Sequence, residues 1–393
     1  MNDRFISSRY NSRLKDLPLH DINCSRSSTN YNNIILNLGK INNKILVFSN
    51  NSLNKYKGLQ LNKNIRKFPD NKPYKSLNAP NISNDFYVNI IVCSITNIVA
   101  IGIDKSVYFY NTVSEKKSAK HFNSKILSLS WDSDGNNIFI GIQRNCQNTM
   151  VYNYLTDTIV FRPESFDHII SVDWKDSNIF CCGDNRSSVY TIDIRCKSYV
   201  TKWIDHSDKV IGLKWSPSGR YIISGGNDNK LIVKDFCNRK NVLETYKHKA
   251  AIKALSWCPI NSNLFVSGGG TKDRKVNIWD ISKNVNDCLI NTMDTTNQVC
   301  FIHWSLIEPS EIISTHGYSG NDIKLWRQIS GNLKMIKSWK GHSERILHAT
   351  INPNNGTLIT ASPDELIKFW NIYPDYCYKN NSVSKIFSNI IIR

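Results

Sequence analysis

Five tryptophans recur at a near-constant interval. Trp131, Trp174, Trp215, Trp257 and Trp304 are spaced by 43, 41, 42 and 47 residues, and each closes an alternating apolar run: ILSLSW, IISVDW, VIGLKW, IKALSW and VCFIHW. A polar turn follows each, then a second run (NNIFIGI, SNIFCCG, RYIISGG, NLFVSGG, EIISTHG), then a third such as NKLIVKDF, RKVNIWD or DIKLWR. Alternation with period two marks half-buried strands. Short strands repeating at this interval cannot bury their apolar faces one unit at a time, and their radial solution is a propeller of four-stranded blades. The same triplet, without the tryptophan, opens the array as VNIIVCSITNIVAIGIDKSVYFYN and ends it as RILHATINPNNGTLITASPDELIKFWN. The expectation is an all-β chain of seven blades, roughly at 86–120, 124–160, 166–200, 206–245, 248–290, 296–337 and 342–376.

Charge divides the chain. It carries 50 Lys and Arg against 32 Asp and Glu, a net +18, and residues 1–84 alone hold fourteen basic and four acidic side chains. That span is rich in Asn, Ser and Lys and lacks sustained periodicity, which predicts a mostly disordered basic arm. The expected division is an arm over 1–84, a propeller over 85–376 and a tail over 377–393. No run of eighteen apolar residues exists to cross a bilayer as a helix, and the first residues lack the apolar stretch of a secretory signal. The eleven cysteines show no CxxC spacing, and Cys181, Cys182, Cys258 and Cys300 lie inside apolar runs. Reduced core thiols in the cytoplasm or nucleus fit that pattern better than disulfides or zinc. No metal and no cofactor are expected.

Histidines precede the first strand of several repeats (His206, His248, His342), and an aspartate follows in a later turn (Asp228, Asp273, Asp364). Within a WD-repeat blade such pairs satisfy one another as buried hydrogen-bond partners. They are expected to be structural rather than catalytic.

Beyond the repeat, SGGNDNKL, SGGGTKDR, STHGYSGNDIKLW and GHSERIL with SPDELIKFWN stand in successive blades. LNAPNISNDFYVN precedes the first, DRFISSR lies near the beginning and Ile392-Arg393 at the end. Together these resemble the Fizzy and Fizzy-related WD-repeat coactivators of the anaphase-promoting complex, a ubiquitin ligase. The resemblance implies a non-catalytic adaptor that brings degron-bearing cell-cycle substrates to the ligase.

It also implies roles. Asp3, Arg4, Phe5, Ile6 and Arg9 resemble the family's C-box, with Ser7 where proline is usual. Two guanidiniums around an apolar pair suit an acidic groove on a helical-repeat scaffold subunit. Losing the proline loosens the unbound chain by about 0.4–1 kcal/mol. Ile392 and Arg393 resemble the tail that docks on such scaffolds. Asp85 and Glu365, in neighbouring blades once the ring closes, correspond to acids that hold the arginine of a destruction box, RxxL. Asn227, Asn229, Thr271, Gln298 and Arg345 correspond to a polar set for KEN degrons, the arginine serving the peptide's glutamate. The family's acid eight positions into the DFYVN segment falls at Val92, followed by Cys93 for tryptophan. The acid for the peptide's lysine is therefore expected to be missing and the KEN site weakened. Lys44, Ile45, Leu46 and Phe48 read either as a segment that binds a spindle-checkpoint protein or as an apolar segment of the Fizzy-related kind.

Two other classes are weighed by the residues themselves. A generic basic WD-repeat scaffold could bind RNA or DNA through its charge, but the most basic span is poor in aromatics for stacking. That leaves binding without sequence specificity. No P-loop, HExxH, GxSxG or kinase signature is present, so no enzyme is expected, nor a membrane partner.

Overall fold

A computed structural model describes residues 72–143, 149–163, 168–196, 198–329 and 332–373. Among them are twenty-eight strands and no helix. The strands form seven sheets of four, so the architecture is the seven-bladed propeller expected from the repeat. Six blades take their strands in chain order, the first running from Ile91–Cys93 to Lys117–His121 and the sixth from Val299–Trp304 to Asn332–Lys340.

The seventh blade joins distant parts of the chain. His348–Ile351, Leu358–Ser362 and Leu366–Trp370 are completed by Lys75–Asn78, which pairs antiparallel along Leu366–Trp370. This strand lies inside the span 1–84 read from the sequence as arm. Its four residues, KSLN, hold a single apolar side chain, Leu77, too little for a periodic pattern to register.

The tryptophan interval has a physical cause. Trp174 and Trp257 each donate an indole N–H at 3.1 Å to a carbonyl of the preceding blade, Ser130 O and Lys214 O. One ring per blade thus packs and bonds across each of these junctions. Glycine in the second strand allows the next blade to approach: a Cβ on Gly225 would lie 2.4 Å from the Ile252 carbonyl oxygen of blade five.

The histidine and aspartate pairs form the expected networks. His248 Nδ1 meets Asp273 at 2.5 Å, its Nε2 meets Ser267 Oγ at 2.7 Å, and Trp279 donates to the same hydroxyl at 2.8 Å. His342, Asp364, Thr360 and Trp370 repeat the arrangement. In blade four His206 keeps Asp228 and Ser224, while Lys234 pairs with Asp205 and lies over Trp203. These networks satisfy groups buried between strands.

The inner strands share an irregularity. Register shifts occur between Ile126 and Ser128, Ile169 and Ser171, Val210 and Gly212, Ile252 and Ala254, and Val299 and Phe301. Each leaves one extra residue: Leu127, Ile170, Ile211, Lys253 and Cys300. A bulge re-aims the side chain it carries. Leu127, Ile170, Ile211, Cys300 and Leu347, from five blades, meet Phe86 and Val88 in one apolar cluster. The ring is therefore filled at its centre by a segment that precedes the first blade. In this series only blade five contributes a cation.

Candidate functional site

An antiparallel four-stranded blade sends the loop entering its first strand and the loop joining its second and third strands to the same end. Asp85, Gln298 and Arg345 lie in loops of the first kind; Asn227, Asn229, Thr271 and Glu365 lie in loops of the second. All seven residues named from the sequence therefore share one face. Asp3, Arg4, Phe5, Ile6, Arg9, the segment 44–48, Ile392 and Arg393 lie outside the described residues.

Across that face runs the segment 79–88, which belongs to no sheet ladder. Its polar backbone still has to be satisfied where it is buried, and groups from other blades do this. Ala79 N–H donates to the Glu365 carbonyl at 2.8 Å and Asn81 N–H to Glu365 Oε1 at 3.1 Å. His348 Nε2 bonds Ser83 O at 3.0 Å. Arg345 grips Asn84: Nε and Nη2 reach Oδ1 at 3.0 and 2.6 Å, and Nη2 reaches the carbonyl at 3.1 Å. Lys253 Nζ donates to Val88 O at 2.8 Å and Leu347 O at 3.1 Å, and lies 5.4 Å from the centre of the Phe86 ring. Asp85, flanked by these anchors, accepts the Tyr87 N–H at 2.9 Å.

Glu365 is bonded to residues 79 and 81 beside the closing strand, and Asp85 follows Asn84, which Arg345 holds. Val92 lies half-buried in the strand Ile91–Cys93, opposite Ala100, and packs against the cluster of Ile98, Ala100, Phe109 and Trp131.

The remaining members are held individually. Asn227 donates from Nδ2 to Asp208 at 2.6 Å, and its N–H reaches the Lys209 carbonyl at 2.9 Å. Asn229 sits in its turn at φ 63°, a conformation asparagine tolerates well. Thr271 is exposed, its carbonyl accepting Arg274 Nε at 2.9 Å. Gln298 is buried under Gly317, where a Cβ would come within 2.5 Å of its Oε1.

Burial governs the electrostatics beneath the segment. It pulls the Lys253 ammonium down from its ordinary value to about 8, against the opposing pull of Cys300 and Asp85. It lowers His348 to about 3, assisted by the Lys253 charge, so the ring is neutral and its Nε2 carries the proton given to Ser83 O. The Cys300 thiol is pushed up to about 12 by the same burial. Among the described residues, no group of three or more His, Cys, Asp or Glu is placed to hold a metal ion. The face carries an anion acceptor, Arg345, and carboxylates at Asp85 and Glu365, together with several amides. That is equipment for binding a peptide bearing both charges.

Asn84, Lys253 and His348 escaped the sequence reading. Lys253 carried a signal: in IKALSW it occupies the second position, apolar in ILSLSW, IISVDW and VIGLKW. Asn84 and His348 had none.

A family model of the CDC20/Fizzy WD40 domain matches residues 77–370. The chain belongs to the CDC20/Fizzy family. It is 35% identical over 314 residues to Protein FIZZY-RELATED 3 of Arabidopsis thaliana, a match covering 79% of this chain and 63% of that protein. To the anaphase-promoting complex subunit cdc20 of Dictyostelium discoideum it is 34% identical over 323 residues, covering 80% and 62%. The chain thus spans under two thirds of the length of these relatives. A chain in the solved structure "Crystal Structure of Mitotic Checkpoint Complex" superposes with a TM-score of 0.73 at 29% identity, covering 80% of this chain and 99% of that one.

Proposed function

We propose that this protein is a substrate-recognition coactivator of the anaphase-promoting complex, acting as a binding module without catalysis. Family membership carries the reading, and the polar face supports it by gathering these residues in loops at one end of their blades. In this reading Asp85 and Glu365 take the arginine of an RxxL degron, Arg345 takes the glutamate of a KEN degron, and the amides of Asn227, Asn229 and Gln298 with Thr271 take its asparagine. The C-box residues Asp3, Arg4, Phe5, Ile6 and Arg9, with Ile392 and Arg393, dock on helical-repeat scaffold subunits. Two weak sites on one scaffold reinforce each other through effective concentration. The segment 44–48 contacts a spindle-checkpoint protein. The protein works in nucleus and cytoplasm and promotes ubiquitin-dependent degradation of cell-cycle substrates.

The test is co-purification. Tagged protein is expected to bring down ligase subunits and to lose them on Arg4→Ala combined with deletion of Arg393, while the propeller stays folded by circular dichroism. Undiminished ligase recovery with the double variant would refute the docking assignment.

A further inference from the structure

The rim of the propeller carries a groove that the polar face does not use. It is lined by Val200, Thr201, Lys202 and Trp203 of blade three and by Lys234 and Arg239 of blade four, with a volume of about 440 Å³. Successive side chains of a strand point to opposite faces, so a groove bordered by four consecutive residues runs along the strand's edge. That edge is open. Ser198–Trp203 is the last strand of its sheet and pairs only with Val189–Asp193. Alternate backbone N–H and carbonyl groups of such a strand have no ladder partner. Its register shifts by one residue at Val200. The matching extra residues of the next two blades, Val242 and Ile290, pack against their blade cores, whereas Val200 is 43% exposed.

The ionisable side chains that line the groove are all cations. Lys234 lies 5.1 Å from the centre of the Trp203 ring and is matched by Asp205. Lys202, 5.2 Å from the centre of the Tyr190 ring, and Arg239 are exposed. Among the described residues no carboxylate comes within 4.0 Å of either. Arg239 stands in the turn between Leu231–Asp235 and Asn241–Thr245, the third and fourth strands of blade four. An antiparallel blade sends that turn to the end opposite the polar face, so an occupant of the groove leaves that face free.

We propose that this groove docks an extended acidic segment of a partner protein, added as a fifth strand beside Ser198–Trp203, with carboxylates on Lys202 and Arg239. Two complementarities select the occupant. The open edge matches the backbone N–H and carbonyl groups of another extended chain, which a nucleic acid lacks, and the two unmatched cations match acids. The spans of this chain outside the propeller have the wrong charge. Residues 1–84 hold fourteen basic and four acidic side chains, and residues 374–393 hold Lys379, Lys385 and Arg393 against Asp375. Four strand residues extend about 13 Å, so the docked segment is short. Both cations stand in water, and each ion pair is partly screened.

The experiment uses fluorescence anisotropy with the full chain and a labelled hexapeptide of alternating glutamate and valine. Comparison peptides carry glutamine for glutamate, or proline for the central valine, and a single-stranded thymidine oligonucleotide completes the set. Wild type is expected to bind the glutamate peptide most tightly at 50 mM salt. Lys202→Ala combined with Arg239→Asn should weaken that peptide roughly 2- to 10-fold and leave the glutamine peptide unchanged. Asparagine is chosen because it tolerates the φ of 57° at position 239. Lys116→Ala with Lys334→Ala, two exposed sites elsewhere, removes the same net charge and should leave affinity unchanged. Melting temperatures verify the fold of both double variants. Undiminished binding by the groove variant overturns the proposal, as does equal weakening by the control pair, which reduces the effect to net charge. Equal binding of the proline peptide overturns the added strand. Tighter binding of the oligonucleotide, lost in the groove variant, makes this a nucleic-acid site instead. Failure of wild type to bind the glutamate peptide also overturns it.

Discussion

Replacing Lys253 with methionine separates the charge of this side chain from its shape. Methionine has similar length and suits a position whose counterparts are Leu127, Ile170, Ile211 and Cys300. Two effects oppose each other. The change strips Val88 O and Leu347 O of their donor, and an unsatisfied buried carbonyl costs about 1–3 kcal/mol. It also removes a charge that burial disfavours. The ammonium falls from 10.5 to about 8 in the folded chain, a penalty on the order of 3 kcal/mol. Lys253 keeps some accessible surface, so this is an upper figure. At pH 7 the terms are comparable, and the variant is expected within roughly 2 kcal/mol of wild type.

The pH dependence distinguishes the terms. A base whose folded-state pKa lies below its unfolded value leaves the unfolded chain holding more protons between the two. Stability therefore rises with pH across the window from about 8 to 10.5. Between pH 7 and pH 9 this one group contributes a gain on the order of 1 kcal/mol to wild type, and none to Lys253→Met. Urea unfolding of both proteins at pH 7, 8 and 9 measures the difference, in which other titrations common to both cancel. Parallel stability curves would refute a depressed lysine at the centre of the ring, and with it the account of how the crossing segment is held.

Other substitutions test the proposed site. Arg345→Ala should weaken KEN-peptide binding by roughly 10- to 150-fold, the value of a hydrogen bond to a charged group, as read by anisotropy. Val92→Asp should strengthen KEN-peptide binding while destabilising the fold by about 2 kcal/mol, because it sets a carboxylate beside a blade core; peptide titration and thermal melting report the two halves. Glu365→Gln keeps the acceptor for Asn81 N–H and removes only the charge, so RxxL binding should fall roughly 2- to 5-fold with KEN binding intact.

The repeat was legible because its cause is local and recurs. Five of the seven inner strands carry a tryptophan at their end or one residue before it, followed by a turn, and Trp174 and Trp257 bond to the preceding blade. The closing strand was illegible for the opposite reason: KSLN gains its conformation from Leu366–Trp370, almost three hundred positions away, and brings one apolar side chain of its own. At the site, loop membership could be read, since Asp85, Asn227, Asn229, Thr271, Gln298, Arg345 and Glu365 all occupy turns at one end of their blades. The anchoring of the crossing segment could not, because it depends on contacts between residues 261 and 284 positions apart, Arg345 with Asn84 and Glu365 with Asn81.

The fold and the site are mechanically one object. The segment that carries Asp85 begins where Lys75–Asn78 completes blade seven and ends where Ile91–Cys93 starts blade one, so ring closure fixes both of its ends. Between those ends, Glu365, Arg345 and His348 from blade seven and Lys253 from blade five hold it by bonds to its backbone and to the Asn84 carboxamide. Phe86 and Val88 fill the centre of the ring beneath it. A loop anchored only by its own turn residues could drift by an ångström at little cost. This segment cannot, because each displacement breaks a bond to another blade or opens the apolar centre. The Asp85 carboxylate and Arg345 guanidinium are thus held by the fold itself, so in the proposed role binding need not supply the entropy of fixing them.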